Sequence, residues 1–257
     1  MVVDWTPLTV ELALWRRAGL ELPVWWRDDD AVAATPALER LGLLAKEVGM
    51  PVHLAVIPHP VDSSLSSALA DDATLIPVIH GWRHVSHAPT GQKNAEFGHP
   101  RTDAEDELRH AIAHLKEQFG SRLLPLFVPP WNRVEPSLLP VLADAGYAGV
   151  STYGPRKATF AAPDLVQINT HIDPIFWRGD RGLVPPEKLL FDLVTTLTDR
   201  REGRTDPTEP LGLLTHHLVH TDDVWDFSRD IMRVLLDGGA IPADLRASLY
   251  AGRSPSI

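Results

Sequence analysis

The strongest constraint on the fold of this chain is a regular alternation of short apolar runs with segments of helical periodicity. Seven apolar runs are predicted to be β-strands, at residues 22–27, 52–58, 74–80, 124–129, 149–153, 165–170 and 211–216. Their apolar character is continuous, which is typical of parallel strands that are covered on both faces. Strands that alternate with helices indicate an α/β fold with a parallel sheet.

Five of the intervening segments are predicted to be helices. Thr35 and Pro36 form an N-cap and a first helical residue. Thr102 and Glu105 have the spacing of a capping box, and Gly146 is a C-cap for residues 136–145. The last two helices are predicted at residues 186–197 and 222–236. We therefore expect residues 1–257 to form one domain of seven β/α units, an incomplete or distorted barrel, with its site at the C-terminal ends of the strands.

Composition limits the chemistry and the partners. The chain has no cysteine, so a metal site would have to use His and carboxylate ligands. The net charge of 24 − 34 = −10 argues against nucleic acid and anionic membranes as partners, because the protein's field would repel phosphates. No apolar run approaches the roughly 18 residues of a membrane span. The N-terminal residues do not have the pattern of a signal peptide, so a cytoplasmic protein is expected; a homo-oligomer is left open.

Histidines are concentrated directly after the third predicted strand. The stretch IHGWRHVSH contains His80, His84 and His87. Acidic side chains follow the first strand as Asp28-Asp29-Asp30, where adjacent carboxylates repel one another unless a cation or bound protons compensate. Strand ends meet at one edge of a barrel, and one carboxylate with two imidazoles is a common catalytic Zn²⁺ ligand set. A second carboxylate can then act as general base, and a further His as general acid.

The order of these motifs resembles the polysaccharide deacetylase family, carbohydrate esterase family 4. The motifs are Asp-Asp, His-x-x-x-His, Pro-Pro-Trp, Asp…Trp and Leu-x-His, and they cover about residues 22–220. The resemblance implies a distorted (β/α)7 barrel that holds one divalent metal ion, Zn in the first place, with Co, Mn, Ni or Fe as alternatives. It implies that His80 and His84 are metal ligands and that His216, in Leu214-Thr215-His216, is the general acid.

The acidic triplet allows more than one assignment under this resemblance. If Ala31 stands where the family has glycine, Asp30 is the third metal ligand and Asp29 is the catalytic base. A shift by one residue makes Asp29 the ligand and Asp28 the base, and a wider spacing selects Asp28 and Asp30. We favour Asp30 as the ligand and leave the base open between Asp29 and Asp28.

One motif departs from the family pattern. The family carries Arg before Pro-Pro, where it holds the base, whereas this chain has Val128. Arg27 and Arg133 are the candidates to replace that arginine. The resemblance also implies a substrate-binding wall made by four residues, namely Trp131, Pro130, Asp173 and Trp177, with Asp173 orienting the general acid.

These motifs predict a metal-dependent hydrolase that removes an acetyl group from an N-acetylated or O-acetylated sugar or a related small molecule. One alternative is a hydrolase of cyclic amides or ureides on the same fold. Another is a non-catalytic carbohydrate-binding barrel, which Val128 keeps open. In each case the partner is a small molecule or carbohydrate.

Four further interpretations concern other segments. Residues 85–101 form a long loop that we interpret as a lid over the substrate. His110 and His114 are predicted to face solvent because they lie opposite their helix's apolar stripe. His217 and His220 are interpreted as bystanders or substrate-facing groups. The tail, residues 252–257, is predicted to be frayed.

Overall fold

A computed structural model describes residues 3–250, so the predicted frayed tail lies outside the described residues. The strands are β1 (Pro23–Ala31), β2 (Val52–Val56), β3 (Leu75–His80), β4 (Leu126–Val128), β5 (Gly149–Val150), β6 (Phe160–Ala162), β7 (Leu165–Gln167), β8 (Leu211–Thr215) and β9 (Ile241–Pro242). The helices are α1 (Thr6–Arg17), α2 (Pro36–Val48), α3 (Ser63–Ala70), α4 (Ala104–Phe119), α5 (Leu138–Asp144), α6 (Pro186–Arg201), α7 (Asp222–Asp237) and α8 (Leu245–Tyr250). None of the helices described is long and apolar enough to cross a membrane.

All strands belong to one curled sheet. Seven strands are parallel neighbours in the order β7-β5-β4-β3-β2-β1-β8, β6 is antiparallel to β7, and β9 pairs with β1. The bridge between Ile172 and Leu213 brings the segment after β7 against β8. The predicted distorted (β/α)7 barrel is thereby confirmed, and each of the seven predicted strands corresponds to one of the parallel strands.

The predicted boundaries differ from the structure in informative places. Strand β1 continues through the acidic triplet to Ala31, so these carboxylates lie within the strand and not in a loop after it. The N-cap at Thr35 is confirmed, since its hydroxyl accepts a hydrogen bond from the Leu38 N–H (3.1 Å). The capping box at Thr102 is wrong: α4 has Asp103 at its N-cap, and that carboxylate pairs with Arg101 (2.7 Å).

Two hydrophobic layers lie on the two faces of the sheet. The larger layer lies between the sheet and the helices and contains Trp26, whereas a smaller layer inside the barrel contains Trp25 and Val128. Helix α8 packs on the inner layer, to which its Leu245 and Leu249 belong. Successive side chains of a strand point to opposite faces, so the face of each β1 residue decides whether it can reach the barrel interior.

A buried histidine joins β2 to α8. The His53 Nδ1 lies 3.1 Å from the Trp26 carbonyl oxygen, and its Nε2 accepts from the Leu245 N–H (3.1 Å). This pattern requires a neutral ring with the proton on Nδ1. Burial lowers the pKa of His53 to about 4, against the raising effect of the Trp26 carbonyl. The described hydrogen bonds give His53 a structural role.

Candidate active site and metal centre

Three predicted metal ligands converge at the C-terminal edge of β1 and β3. Among residues 3–250, Asp30, His80 and His84 form the one group of three or more such side chains whose ligand atoms all lie close together, within 4.8 Å. The Asp30 Oδ1 lies 3.1 Å from His80 Nε2 and 3.3 Å from His84 Nε2. Ligands held about 2.0–2.2 Å from one tetrahedral or octahedral ion are roughly 2.8–3.6 Å apart, so both separations from Asp30 fit a shared divalent metal ion.

The orientation of His80 also suits metal binding. Its Nδ1 lies 3.0 Å from the Val128 carbonyl oxygen, and donation to this oxygen leaves the Nε2 lone pair free for an ion. Burial alone would raise the pKa of Asp30, but the contact with His80, which a bound ion would replace, and the nearby imidazoles outweigh it and hold that pKa well below its ordinary value. The carboxylate is therefore ionised, as a metal ligand must be.

A tight turn after β3 presents the two imidazoles. Both Gly81 (φ 59°) and His84 (φ 56°) have left-handed backbone conformations. The Glu96 carboxylate accepts from the backbone N–H groups of Trp82 (3.1 Å) and Arg83 (2.7 Å). A Cβ at position 81 would overlap the Glu96 carboxylate and approach the Pro130 ring. Glycine is therefore required at this position.

A bulge in β1 decides which carboxylates face the site. Regular alternation would put Asp28 and Asp30 on one face and Asp29 on the other. The register with β2 shifts between Asp28 and Ala31, and Asp30 has φ 75°. This irregularity turns Asp30 to the side of Asp29, and both line one cavity.

Asp29 is held by an arginine from its own strand. Arg27 Nε and Nη2 donate to the two Asp29 carboxylate oxygens at 2.9 and 3.0 Å. The guanidinium is fully buried and also donates to Asn132 Oδ1 (2.7 Å) and Ser151 Oγ (2.8 Å). Residues i and i+2 of a strand share a face, which permits this bidentate contact. The Asp29 carboxylate is therefore held by Arg27 and not by a residue at position 128.

The other candidate arginine, Arg133, does not hydrogen-bond to Asp29. Arg133 lines the cavity, but its guanidinium donates to the Asn94 carbonyl oxygen (2.7 Å). Sequence reasoning did not identify Asn132, which anchors Arg27, or the turn-holding role of Glu96. Trp131 and Asn132 are two successive residues with left-handed backbone conformations, with φ 56° and 58°. No sequence pattern specifies this conformation, which places the Asn132 amide against Arg27.

His216 faces the carboxylates from β8. Its Nε2 lies 4.0 Å from Asp29 Oδ2, and its ring packs edge-on against Trp177 with centroids 4.6 Å apart. The predicted orienting residue Asp173 instead accepts from the Ile175 N–H (3.0 Å) and the Trp177 indole N–H (2.8 Å). Among the described residues, His216 Nδ1 has no hydrogen-bond partner. Asp173 therefore contacts His216 through Trp177 and not through a direct hydrogen bond.

Burial changes the ionisation of Asp173. It raises the pKa of this carboxyl, and the charge of Asp29 acts in the same direction, whereas His216 and the two hydrogen bonds lower it. The net direction is upward.

These groups surround one cavity of about 260 Å³. Its lining comprises Asp29, Asp30, His80, His84, Trp131, Asn132, Arg133, Asp173, Trp177, Leu214 and His216. Trp131 packs against His84 with ring centroids 4.4 Å apart, and Trp177 remains 43% exposed at the rim. Pro130, predicted to face the substrate, is buried behind this wall against Gly81 and does not line the cavity.

Asp28, the alternative base, lies on the opposite face of β1. It is fully buried, and its carboxylate binds Thr215 and His217. Burial alone would raise the pKa of Asp28, but His217, His220 and Thr215 together outweigh it and lower that pKa. Because Asp28 does not line the cavity, its side chain is separated from the metal ligands by the strand itself.

Two other predictions concern groups outside the cavity. His110 is exposed and His114 half-buried, with both rings near Trp82. The loop at residues 85–101 is largely irregular, but its far end is packed, since Glu96 and Phe97 are buried. A lid function for its exposed part stays a prediction.

Comparison with solved structures identifies proteins that have a similar fold. A family 4 carbohydrate esterase from Streptomyces lividans, solved with acetate, matches with a TM-score of 0.54 and 14% identity over 91% of this chain and 97% of that chain. A peptidoglycan N-acetylglucosamine deacetylase matches with a TM-score of 0.51 and 14% identity, covering 91% of this chain and 90% of that chain. A pseudoenzyme of the same family from Bacillus anthracis matches with a TM-score of 0.53 and 14% identity, over 89% and 66% of the two chains.

The comparisons by sequence give no match. No family model matches the chain, and no curated protein does. The fold occurs in enzymes and in a pseudoenzyme, so the fold alone does not establish activity. This chain has the fold of the family 4 carbohydrate esterases.

Proposed function

We propose that this chain is a divergent family 4 carbohydrate esterase, a metal-dependent hydrolase that removes an acetyl group from an N-acetylated or O-acetylated sugar or a related small molecule. The observation that carries the proposal is the convergence of Asp30, His80 and His84 with Asp29 and His216 around one cavity. Five chemically suited groups from three separate strand ends are an unexpected coincidence for a purely structural barrel.

Asp30, His80 and His84 would hold the divalent ion. When bound, such an ion supplies Lewis acidity towards a carbonyl oxygen and lowers the pKa of a bound water. Asp29 accepts the proton of the attacking water, which is the role of a general base. The two hydrogen bonds from Arg27 fix the Asp29 carboxylate on the cavity side of β1, so the base is already oriented before substrate binds.

His216 carries the second proton transfer. Its Nε2 faces the cavity near Asp29, on the side where the leaving amine or hydroxyl would depart. A protonated Nε2 donates its proton to that leaving group as the C–N or C–O bond breaks. Trp177 packs on the ring and limits its rotation.

The cavity supports a substrate of modest size. Trp131 and Trp177 provide aromatic walls, which suit the apolar face of a sugar ring, and Asn132 and Arg133 provide hydrogen-bond donors. A volume of about 260 Å³ lies just below the usual range for ligand pockets of roughly 300–1,000 Å³. One acetylated sugar unit is therefore the expected occupant.

A screen of acetate release tests this proposal. The protein is incubated with N-acetylated and O-acetylated sugars while Zn²⁺, Co²⁺ and Mn²⁺ are supplied separately, and acetate is measured. We expect release that depends on the metal and falls by at least about 100-fold in Asp29→Asn and in His216→Ala, since general acid and base groups contribute about 10²–10⁴-fold each.

His110→Ala is the matched control, because His110 is an exposed imidazole on α4 away from the cavity. Its rate should equal that of the wild type. Metal binding without acetate release from any substrate would instead support a non-catalytic barrel. Release that persists in His216→Ala would exclude His216 as the acid.

A further inference from the structure

We propose that Asp28 is a positioning residue for the general acid, which it holds in place from the opposite face of β1. This inference rests on the proposed function, in which His216 protonates the leaving group. Asp28 lies beside Thr215 in the register of β1 and β8. It binds both chain neighbours of His216 and leaves His216 itself free to face the cavity.

Three hydrogen bonds form this clamp. Asp28 Oδ2 accepts from Thr215 Oγ1 (2.6 Å) and from the His217 backbone N–H (3.0 Å). Asp28 Oδ1 lies 2.5 Å from His217 Nδ1. The Thr215 hydroxyl also accepts from the Trp26 indole N–H (2.8 Å). Every member of the clamp is buried, Asp28 and Thr215 completely and His217 with 2% exposure, so water does not compete for these bonds.

The backbone geometry transmits the clamp to His216. Strand β8 ends at Thr215, and His216 keeps an extended-type conformation (φ −144°, ψ 86°) before the short 3₁₀ turn at His217–Val219. A residue between two neighbours that are fixed on one face points to the other face. The His216 side chain has few restraints of its own, since its Nδ1 has no hydrogen-bond partner among the described residues, while its backbone N–H donates to His220 Nε2 (3.2 Å). The restraint on the His216 ring therefore comes from the chain on either side, from the backbone contact with His220 and from Trp177.

A pair of substitutions at Asp28 separates positioning from chemistry. In Asp28→Asn, the amide oxygen can accept from Thr215 and from the His217 N–H, while the amide nitrogen donates to a neutral His217 Nδ1. The clamp is kept, but a side chain able to accept a proton is lost. In Asp28→Ala, all three bonds are lost. We expect Asp28→Asn to retain most of the deacetylation rate and Asp28→Ala to lose at least about tenfold in kcat, because a misplaced acid forfeits part of its 10²–10⁴-fold contribution.

The choice of leaving group provides the second readout. Release of 4-nitrophenolate from 4-nitrophenyl acetate needs no general acid, whereas release of a sugar amine does. Asp28→Ala should therefore lose activity on the N-acetylated sugar but change little on 4-nitrophenyl acetate, with metal content unchanged. An equal loss on both substrates would mean general structural damage and would overturn the proposal. An Asp28→Asn variant as inactive as Asp29→Asn would also overturn it, by giving Asp28 a chemical role.

Two further measurements keep the test decisive. If Asp28→Ala does not fold, Thr215→Val removes one arm of the clamp with little change of shape, and the same split between substrates is expected. If the wild type releases acetate from no substrate, the proposed function fails. Crystal structures of the two Asp28 variants then show, independently of activity, whether the clamp holds His216 in the cavity. His216 should stay in the cavity with asparagine and leave it with alanine, and an unmoved His216 in Asp28→Ala would refute the clamp.

Discussion

Replacement of Arg27 by methionine tests whether this arginine holds the Asp29 carboxylate, with valine at position 128. Methionine has a similar length but cannot donate to Asp29. Both side chains are buried, with 0% and 4% exposure, and the substitution removes the two hydrogen bonds that neutralise Asp29. An isolated charge left in a buried site costs about 3–5 kcal/mol of stability. A domain with a total of roughly 5–15 kcal/mol should still fold.

Two assays measure the effect of Arg27→Met. Urea unfolding should show the loss of about 3–5 kcal/mol, and the rate of acetate release should fall by about 100-fold, since the base is no longer held. The double variant Arg27→Met/Asp29→Leu should be more stable than Arg27→Met alone, because removal of both charges leaves none unpaired. That recovery would identify the ion pair as the source of the loss.

Arg133→Met is the matched control. This guanidinium lines the same cavity but donates to a loop carbonyl, so the stability should stay within about 0.5 kcal/mol of the wild type. The reasoning would be refuted by an Arg27→Met variant with unchanged stability and activity. It would equally be refuted if Arg133→Met lost as much stability as Arg27→Met.

Three further predictions address other parts of the molecule. Burial lowers the pKa of His53 to about 4, below about 6.5 for an unfolded chain. The unfolded state therefore binds a proton first, so stability should fall by about 3 kcal/mol between pH 6.5 and pH 4, and urea unfolding of His53→Gln should lack this part of the pH dependence. Gly81→Ala should lose more than about 1 kcal/mol in thermal unfolding, because the new Cβ meets Glu96 at a left-handed position, and its metal affinity should fall. Trp177→Ala should lower kcat/KM for the sugar by about tenfold, since a ring that packs on His216 is lost, whereas an unchanged kcat/KM would place substrate elsewhere.

The order of elements could be predicted from the sequence, because buried parallel strands need continuous apolar runs and helices need caps. The sequence also identified three side chains that the structure brings together, Asp30, His80 and His84. Each lies at or just beyond the predicted end of a strand, and strand ends share an edge. Helices α1, α3 and α8 were not predicted. The segment of α3 is rich in serine, and its N-cap is provided by Asp62, which accepts from the Ser64 N–H (2.8 Å).

The roles of the neighbouring carboxylates could not be predicted, because three consecutive aspartates carry no information on which of them faces the cavity. That choice depends on the left-handed conformation of Asp30 and on the register shift against β2. The same limit applies to Arg27, whose contact with Asp29 needs both side chains on the inner face. Pro130 illustrates the converse. Pro130 is the sequence neighbour of Trp131, which lines the cavity, but Pro130 itself lies behind the cavity wall because the turn at Gly81 packs on it.

Metal content gives the most direct test of the central claim that Asp30, His80 and His84 share one ion. The purified protein is loaded with Zn²⁺, dialysed, and analysed by elemental mass spectrometry. We predict one equivalent in the wild type and in His110→Ala, and a loss of bound metal in His80→Ala. A wild-type protein that retains no metal, or a His80→Ala variant that retains a full equivalent, would contradict the claim.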